Sequence, residues 1–226
     1  MGAQGQVFDL ARKGGKMTFH AEFLSEGQRE ILPILGPWTS ARGFYLGGET
    51  AVALYFGHRR SVDFDWFMCE SIQDPLVLAE ELRSRGLRIE DVQVAPGTLH
   101  ALVEAVRVSF FDYPYPLIAD PTTWREYSVR LASLDDLACM KLAAIAQRGS
   151  RKDFIDLHAI ALGHRPIQDI LPLYRRKYST DDIAHILVGL TYFDDADEEP
   201  MPMMLNDVSW DAVKQQFREW AKACAG

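Results

Sequence analysis

The stretch of sequence that decides the fold runs from Gly47 to Phe67 and reads GGETAVALYFGHRRSVDFDWF. Its pattern predicts a glycine turn, a helix over 50–56, a basic turn and a strand over 62–67. Because side chains alternate between the two faces of a strand, Asp63 and Asp65 are expected to project from the same face. Two neighbouring carboxylates repel each other, and sharing a hard cation such as Mg²⁺ allows both to stay ionised.

The residues before this helix predict a place for a phosphate group. A short apolar strand over 44–46 ends at Gly47 and Gly48, and Thr50 begins the helix. In that arrangement backbone N–H groups and a hydroxyl can approach a phosphate at the helix N-terminus. A Gly-Gly pair alone is usually a turn, and an Asp-x-Asp alone is usually surface charge or a helix cap. Their order and spacing within one helical unit favour metal-assisted phosphoryl or nucleotidyl transfer.

Composition restricts the remaining possibilities. The chain has 226 residues, of which 48% are hydrophobic, so it can bury the core of one domain or two small ones. A net charge of −8 argues against a protein coated with basic residues for nucleic-acid binding. Basic clusters at 58–60, 148–152 and 175–177 leave RNA binding open. Three widely spaced cysteines predict reduced thiols and no zinc site, and the sequence offers neither a membrane span nor a signal peptide. We therefore expect a cytoplasmic protein.

The order of predicted elements gives an α+β fold. A mixed β-sheet with flanking helices is expected over 17–130, followed by a C-terminal helical bundle over 131–226, after a partly ordered arm over 1–16. A tight hairpin is predicted at Glu104-Ala105. Helices are predicted over 19–35 (ending at Gly36-Pro37), 50–56, 76–85, 133–148, 152–162, 167–177, 181–190 and 209–223, strands over 44–46, 62–67, 87–94, 99–103 and 106–111, and a solvated acidic linker over 194–202.

Two stretches together carry a resemblance to a known family. Residues 47–67, with GHRxSxDxD intact, and residues 141–160, KLAAIAQRGSRKDFIDLHAI, resemble the AbiEii/AbiGii toxin family of bacterial nucleotidyltransferases. That family belongs to the DNA polymerase β-like nucleotidyltransferase superfamily, so the resemblance implies that the mixed sheet over 17–130 is nucleotidyltransferase-like. The resemblance implies transfer of NMP from an NTP to an acceptor hydroxyl with Mg²⁺ or Mn²⁺. It also implies an RNA acceptor, tRNA in particular, and an antitoxin protein as partner in a two-gene system.

The resemblance also assigns roles to individual residues. Asp63 and Asp65 match the metal-binding pair, and Lys141 matches a helix lysine that grips the nucleotide phosphates. Asp153 and Asp156 match a distal motif that supports the metal or positions the acceptor, and they are included with the catalytic residues. The residues assigned to nucleotide binding are Gly47, Gly48, Thr50, Arg59 or Arg60, Ser61 and Lys152.

Independent reasoning leaves alternatives open for the distal motif. Asp153 and Asp156 are three residues apart in a predicted helix and therefore share one face, which would suit a cleft. A surface helix capped by Asp153 explains the same spacing. Lys141 lies on a largely apolar helix, where a lysine either extends its amine along the surface to solvent or faces a phosphate pocket.

The sequence departs from the family pattern in two places. Glu49 occupies the position of a second glycine, and an anion beside a triphosphate is unfavourable unless it points away or takes a cation. The strand expected to carry a third carboxylate has Ser109 at the facing position. These departures keep open a non-catalytic nucleotide- or protein-binding module, or a transferase that acts on a small molecule. His100 and His158 are interpreted as structural residues.

Overall fold

The structure is a computed structural model that describes residues 12–13 and 16–225. Most of the predicted N-terminal arm lies outside the described residues. The described strands are β1 Arg12–Lys13, β2 Lys16–Met17, β3 Tyr45–Leu46, β4 Phe64–Met68, β5 Ile89–Ala95, β6 Thr98–Val103, β7 Val106–Asp112, β8 Thr122–Trp124 and β9 Val129–Leu131. The described helices are α1 Glu26–Ala41, α2 Gly48–Phe56, α3 Pro75–Ser84, α4 Leu134–Arg148, α5 Arg151–Gly163, α6 Ile167–Tyr178, α7 Ala184–Gly189, α8 Asp194–Glu198 and α9 Trp210–Ala225.

The chain divides into two compact units. A sheet unit consists of residues 21–51 and 61–133, and a helical unit consists of 52–60, 134–225 and the described residues up to 20. The limit at residues 133/134 lies close to the predicted one at 130/131. The helical unit also takes the segment 52–60, which includes most of α2. The division into domains over 17–130 and 131–226 stays a prediction.

The sheet unit contains one mixed seven-stranded sheet in the order β5-β6-β7-β4-β3-β9-β8. β4 runs parallel to β7, and β3 runs parallel to β9, while the other neighbours are antiparallel. Phe64, Trp66 and Phe110 lie on the buried face. The hairpin between β6 and β7 turns at Glu104 and Ala105, whose positive φ angles of 48° and 65° confirm the predicted tight turn.

The register of this sheet brings four residues of its other face into one row. Asp65 in β4 lies opposite Ser109 in β7, Ser109 lies opposite His100 in β6, and His100 lies opposite Gln93 in β5. Since residues two apart on a strand share a face, Phe67 and Phe111 form the next row, with ring centroids 5.1 Å apart. The open face therefore carries polar residues beside aromatic ones.

The prediction that the first long helix ends at Gly36-Pro37 is wrong, because α1 continues to Ala41. Ser25 and Gln28 form a reciprocal hydrogen-bonded cap at its start. A Cβ atom at Gly36 would overlap the carbonyl oxygen of Tyr127. The glycine therefore serves the close approach of two backbones within the sheet unit, and not the end of a helix.

Two other predictions fail for physical reasons. The strands β8 and β9 were not predicted, because each has only three residues and depends on pairing with distant segments. Residues 194–202 are not a solvated linker, since they include α8 and the Glu199 carboxylate accepts hydrogen bonds from Ser150 Oγ at 2.7 Å and Arg151 N at 2.8 Å. Acidic residues here cap α5, where a helix N-terminus favours negative charge.

Within the helical unit, a short segment after α8 pairs with the basic turn. Residues 203–205, which we call the strap, run antiparallel to residues 58–60. Arg60 N donates to Met203 O at 2.9 Å, and Leu205 N donates to His58 O at 2.9 Å. The strap therefore fixes the backbone of the turn. Among the described residues, no helix is both long and apolar enough to cross a membrane.

Candidate active site

Asp63 and Asp65, which we call the strand pair, lie at the N-terminal end of β4. Asp63 immediately precedes β4 and Asp65 is its second residue, so both are half-exposed while Phe64 between them is fully buried. The alternation therefore sends both carboxylates to the open face of the sheet. The predicted strand over 62–67 begins two residues later in the structure, at Phe64.

Gly48 packs closely against Asp65 of the strand pair. It is the first residue of α2 and has a φ of 62°, a conformation that residues with a side chain rarely adopt. A Cβ atom at this position would lie 2.5 Å from Oδ2 of Asp65. The neighbouring Gly47 N donates to Asp65 O at 2.9 Å. The glycine turn and the strand therefore form one local structure, in which backbone approaches a carboxylate.

The hydroxyl of Thr50 is used inside the protein. The side chain is only 1% exposed, and its Oγ1 donates to the carbonyl of Asp63 and lies 2.6 Å from Ser61 Oγ. Ser61 in turn donates to Oε1 of Glu49 at 2.9 Å. This chain of hydrogen bonds ties the start of α2 to the backbone that carries the strand pair. The Glu49 carboxylate therefore accepts a hydrogen bond from the Ser61 hydroxyl within the sheet unit.

The strand pair fits a divalent cation that also takes ligands from a substrate. Carboxylate oxygens are the preferred protein ligands of Mg²⁺, which is commonly held by one or two of them together with substrate phosphates. Over residues 12–13 and 16–225, no group of three or more His, Cys, Asp or Glu side chains is arranged to hold a metal. Two half-exposed carboxylates beside a glycine turn suit a cation that also binds substrate phosphates. They do not form a closed site in which protein ligands alone surround the cation.

In the helical unit, the basic turn meets the distal motif. The guanidinium of Arg59 binds the carboxylate of Asp156 with two hydrogen bonds, from Nε to Oδ1 at 2.7 Å and from Nη2 to Oδ2 at 2.8 Å. His58 Nε2 lies 2.8 Å from the same Oδ1. Arg59 is 2% exposed and Asp156 is fully buried, so this is a desolvated, bidentate ion pair.

Lys141 joins the two distal aspartates. Its Nζ donates to Oδ1 of Asp153 at 2.9 Å and to Oδ2 of Asp156 at 2.6 Å. Arg148 adds two hydrogen bonds to Asp153, at 2.8 Å and 3.1 Å. Asp153 and Asp156, which we call the helix pair, thus share one face of α5, as their spacing predicts. We call the connected set the buried network, and its members are His58, Arg59, Lys141, Asp153 and Asp156.

Charge pairing dominates the titration of the buried network. Burial would raise the pKa of Asp156, but the charges of Arg59 and Lys141 hold that pKa well below its usual range. Burial would likewise lower the pKa of Lys141, and the two aspartates raise it instead. For His58, burial prevails over Asp156 and lowers the pKa, so the imidazole is neutral near pH 7. The network therefore holds two full ion pairs at neutral pH.

The structure separates the two candidate arginines of the basic turn. Arg59 is committed to Asp156, whereas the side chain of Arg60 is exposed. Lys152 is half-exposed at the start of α5. Sequence reasoning missed the part that His58 plays in the network. A histidine directly before two arginines gave no signal for it, because its partner lies 98 residues away.

A second missed residue is His100, which was interpreted as structural. Leu99, Ala101 and Val103 are buried, so strand alternation places His100 on the open face, and its side chain is exposed. The alternation in LHALV was a usable signal. The prediction for His158 fits the structure, since that residue is 7% exposed and packs its ring against Trp220 with centroids 5.6 Å apart.

Comparison with known proteins defines the class. Residues 103–224, more than half of the chain, match the sequence model of the family described as nucleotidyl transferase AbiEii toxin, type IV TA system. The chain belongs to this family, and it is a nucleotidyltransferase. The matched residues contain Lys141 and the helix pair but not the strand pair. A relative that covers both regions is the uncharacterized protein aq_aa25 of Aquifex aeolicus, 34% identical over 203 residues, with 88% of this chain and 96% of that protein covered.

Solved structures agree on the fold. The chain resembles JHP933 from Helicobacter pylori with a TM-score of 0.53 and 18% identity, covering 89% of this chain and 93% of that one. It resembles MenT4, a nucleotidyltransferase toxin of Mycobacterium tuberculosis, with a TM-score of 0.51 and 15% identity, covering 86% and 82%. The predicted α+β, nucleotidyltransferase-like fold is thereby confirmed.

Proposed function

We propose that this protein transfers NMP from an NTP to an acceptor hydroxyl with the help of Mg²⁺, as the toxin component of a type IV toxin–antitoxin system. The observation that carries the proposal is the strand pair, two half-exposed carboxylates on the face of a sheet, with Asp65 against the glycine turn at Gly48. Family membership supports the reaction class and the role as a toxin.

Each part of the sheet unit has a task in this reaction. Asp63 and Asp65 would hold the cation, which when bound neutralises the phosphate oxygens and lowers the barrier to displacement at the α-phosphorus. The turn at Gly47 and Gly48 presents backbone to the β- and γ-phosphates at the start of α2. The buried hydrogen bonds of Thr50 keep the strand pair and this turn in register, which is a positioning role.

The helical unit supplies the other residues of the proposal. Arg60, which is exposed, and Lys152, which is half-exposed, are the residues of this unit that we propose for binding the nucleotide phosphates. We also assign Lys141 and the helix pair a part in catalysis, because their ion pairs set the position of the basic turn. A phosphate contact by Lys141 requires its two carboxylate partners to yield, because both hold its amine within 2.9 Å.

RNA, and tRNA in particular, is the acceptor that we propose, and an antitoxin protein is the proposed partner in the cytoplasm. Arg60 lies four residues after the end of α2. Its exposed guanidinium gives the basic turn one group that can bind an RNA phosphate. The resemblance of residues 47–67 and 141–160 to the toxin family supports the same acceptor.

The test is incubation of purified protein with total bacterial RNA, Mg²⁺ and each α-³²P-labelled NTP in turn, beside Asp63→Ala/Asp65→Ala protein. Label in one RNA band, absent with the variant, is the expected result and identifies nucleotide and acceptor together. The matched control is Asp112→Ala, which removes a carboxylate from the end of β7 and should leave labelling in place. Absence of label with every NTP, from folded protein, would contradict an RNA acceptor; NTP binding that needs Mg²⁺ would then separate a small-molecule transferase from a binding module.

A further inference from the structure

The place of the missing third carboxylate is taken by a hydrogen-bonded serine and histidine. Ser109 lies directly opposite Asp65 across the parallel pairing of β4 and β7. His100 lies opposite Ser109, and its Nδ1 is 3.0 Å from Ser109 Oγ. The hydrogen bond draws the imidazole toward β7, the strand next to the strand pair. A group that can accept a proton is thus placed on the catalytic face of the sheet.

The imidazole of His100 lies at the surface of the sheet. The side chain is exposed, and it packs edge-on against Phe111, with ring centroids 5.4 Å apart. When Nε2 carries the ring proton, Nδ1 accepts a hydrogen bond from the Ser109 hydroxyl, and the Ser109 oxygen presents a lone pair on the strand next to the strand pair. Within the part of the chain that the structure describes, no other side chain hydrogen-bonds to this imidazole.

We propose that His100 is the general base for the transfer reaction and that Ser109 relays the proton to it. This inference rests on the proposed function. As the acceptor oxygen forms its bond to the α-phosphorus, its proton passes to Ser109 Oγ, the Ser109 hydroxyl proton passes to His100 Nδ1, and the bond between the α-phosphorus and the bridging oxygen of pyrophosphate breaks. Pyrophosphate leaves with that electron pair, and the imidazolium returns its proton to water. Charge and atoms balance without a further reactant.

The spacing of the sheet is consistent with this role. Adjacent strands are about 4.8 Å apart, so the backbones of Asp65 and His100 are separated by about 10 Å. Ser109 lies between them, one strand away from Asp65 and one strand away from His100. Its hydroxyl therefore bridges the distance between an acceptor bound beside the strand pair and the imidazole. Polymerase-like transferases use a carboxylate on the neighbouring strand here, whereas this chain reaches the same point from one strand further.

The experiment compares three variants in the labelling assay, with kcat and the KM for NTP measured separately. His100→Ala should lower kcat about 100-fold and leave KM unchanged, since general bases contribute about 10² to 10⁴. Added imidazole should restore part of the rate to His100→Ala, because a free base can occupy the vacated space. Ser109→Asp in the His100→Ala background should also recover activity by returning a carboxylate to the position opposite Asp65.

Gln93→Ala is the matched control, because Gln93 is the exposed residue opposite His100 on the outer side and should not affect the rate. Wild-type kcat in His100→Ala would overturn the inference while the proposed function stands. Loss of rate that neither imidazole nor Ser109→Asp restores would also overturn it, because that pattern is the sign of a structural role. If wild-type protein transfers no label to any acceptor, both proposals are rejected.

Discussion

The chain contains two pairs of aspartates that look alike in sequence and differ completely in environment. The strand pair is separated by one residue, and its half-exposed carboxylates lie on an open sheet face. The helix pair is separated by two residues, and its carboxylates are fully buried against Arg59 and Lys141. The first pair is accessible to a ligand from solvent, whereas the second pair is enclosed with its cationic partners inside the protein.

This difference shows what burial adds to a motif. Two neighbouring carboxylates at a half-exposed position repel each other, and a bound metal ion would relieve that repulsion. A buried pair matched by two cations is stable without any ligand, but the loss of one partner leaves an uncompensated charge in the interior. We therefore expect substitutions in the strand pair to remove activity and substitutions in the helix pair to remove stability.

The largest expected effect is on catalysis. Asp65→Asn keeps the shape of the side chain and removes the charge that a cation needs, so kcat/KM should fall about 10³-fold, equivalent to about 4 kcal/mol. The free energy of unfolding should change by less than about 0.5 kcal/mol, because the side chain is half-exposed. Labelling kinetics and urea denaturation of the same preparation check both expectations. A variant that unfolds easily would show that the strand pair is structural.

The complementary substitution is Asp156→Asn, which leaves Arg59 and Lys141 buried without their common carboxylate. We expect the free energy of unfolding to fall by about 3 to 5 kcal/mol, measured by urea denaturation. Asp135→Asn is the matched control, since its partners Arg165 and His164 lie at the surface and the loss should be within about 1 kcal/mol. Equal effects of the two variants would remove the distinction between the pairs.

The helix that carries the helix pair also predicts a pH dependence. Burial lowers the pKa of His158 to about 4, so the folded protein resists a proton that the unfolded chain accepts near pH 6.5. The unfolded state therefore binds more protons, and stability falls as the pH drops from about 6.5 to 4. Between pH 7.5 and 4.5 the wild type should lose about 2.5 kcal/mol more than His158→Phe, measured by urea denaturation at each pH. Parallel losses would show that His158 titrates normally.

The smallest expected effect concerns Gly48, which joins the glycine turn to the strand pair. Gly48→Ala strains a backbone with positive φ and places a methyl group against Asp65, so we expect a loss of about 2 kcal/mol and lower activity. Gly86→Ala is the control, because its φ of 85° is equally unfavourable but no atom lies within 4 Å of the added Cβ. It should cost about 1 kcal/mol in urea denaturation and leave labelling unchanged. Lost activity in both variants would point to general destabilisation.

Sequence reasoning succeeded where the physics is local. Alternation placed Asp63 and Asp65 on one face, and helical spacing placed Asp153 and Asp156 on one face. The tight turn at Glu104 also followed from neighbouring residues alone. In these cases the pattern within a few residues determines the geometry.

The failures all involve partners that are distant in the sequence. The continuation of α1 through Gly36 depends on a backbone more than ninety residues later, and the pairing of β9 with β3 has no local signal. Burial of Arg59 likewise depends on Asp156. A match to a motif position predicted that a residue has a functional role. Whether its side chain faces solvent or the interior depends on the three-dimensional fold.

The position of the strap in the sequence decides when the backbone of the basic turn becomes fixed during synthesis. The ribosome makes the basic turn at 58–60 long before the strap at 203–205, yet the two are hydrogen-bonded partners. A nascent chain therefore carries the arginines of the basic turn without the backbone partner that fixes them until the strap has been made. An unfinished or prematurely terminated chain lacks that partner altogether. In a protein proposed to be toxic, this topology delays the fixing of the basic turn until residues 203–205 have left the ribosome.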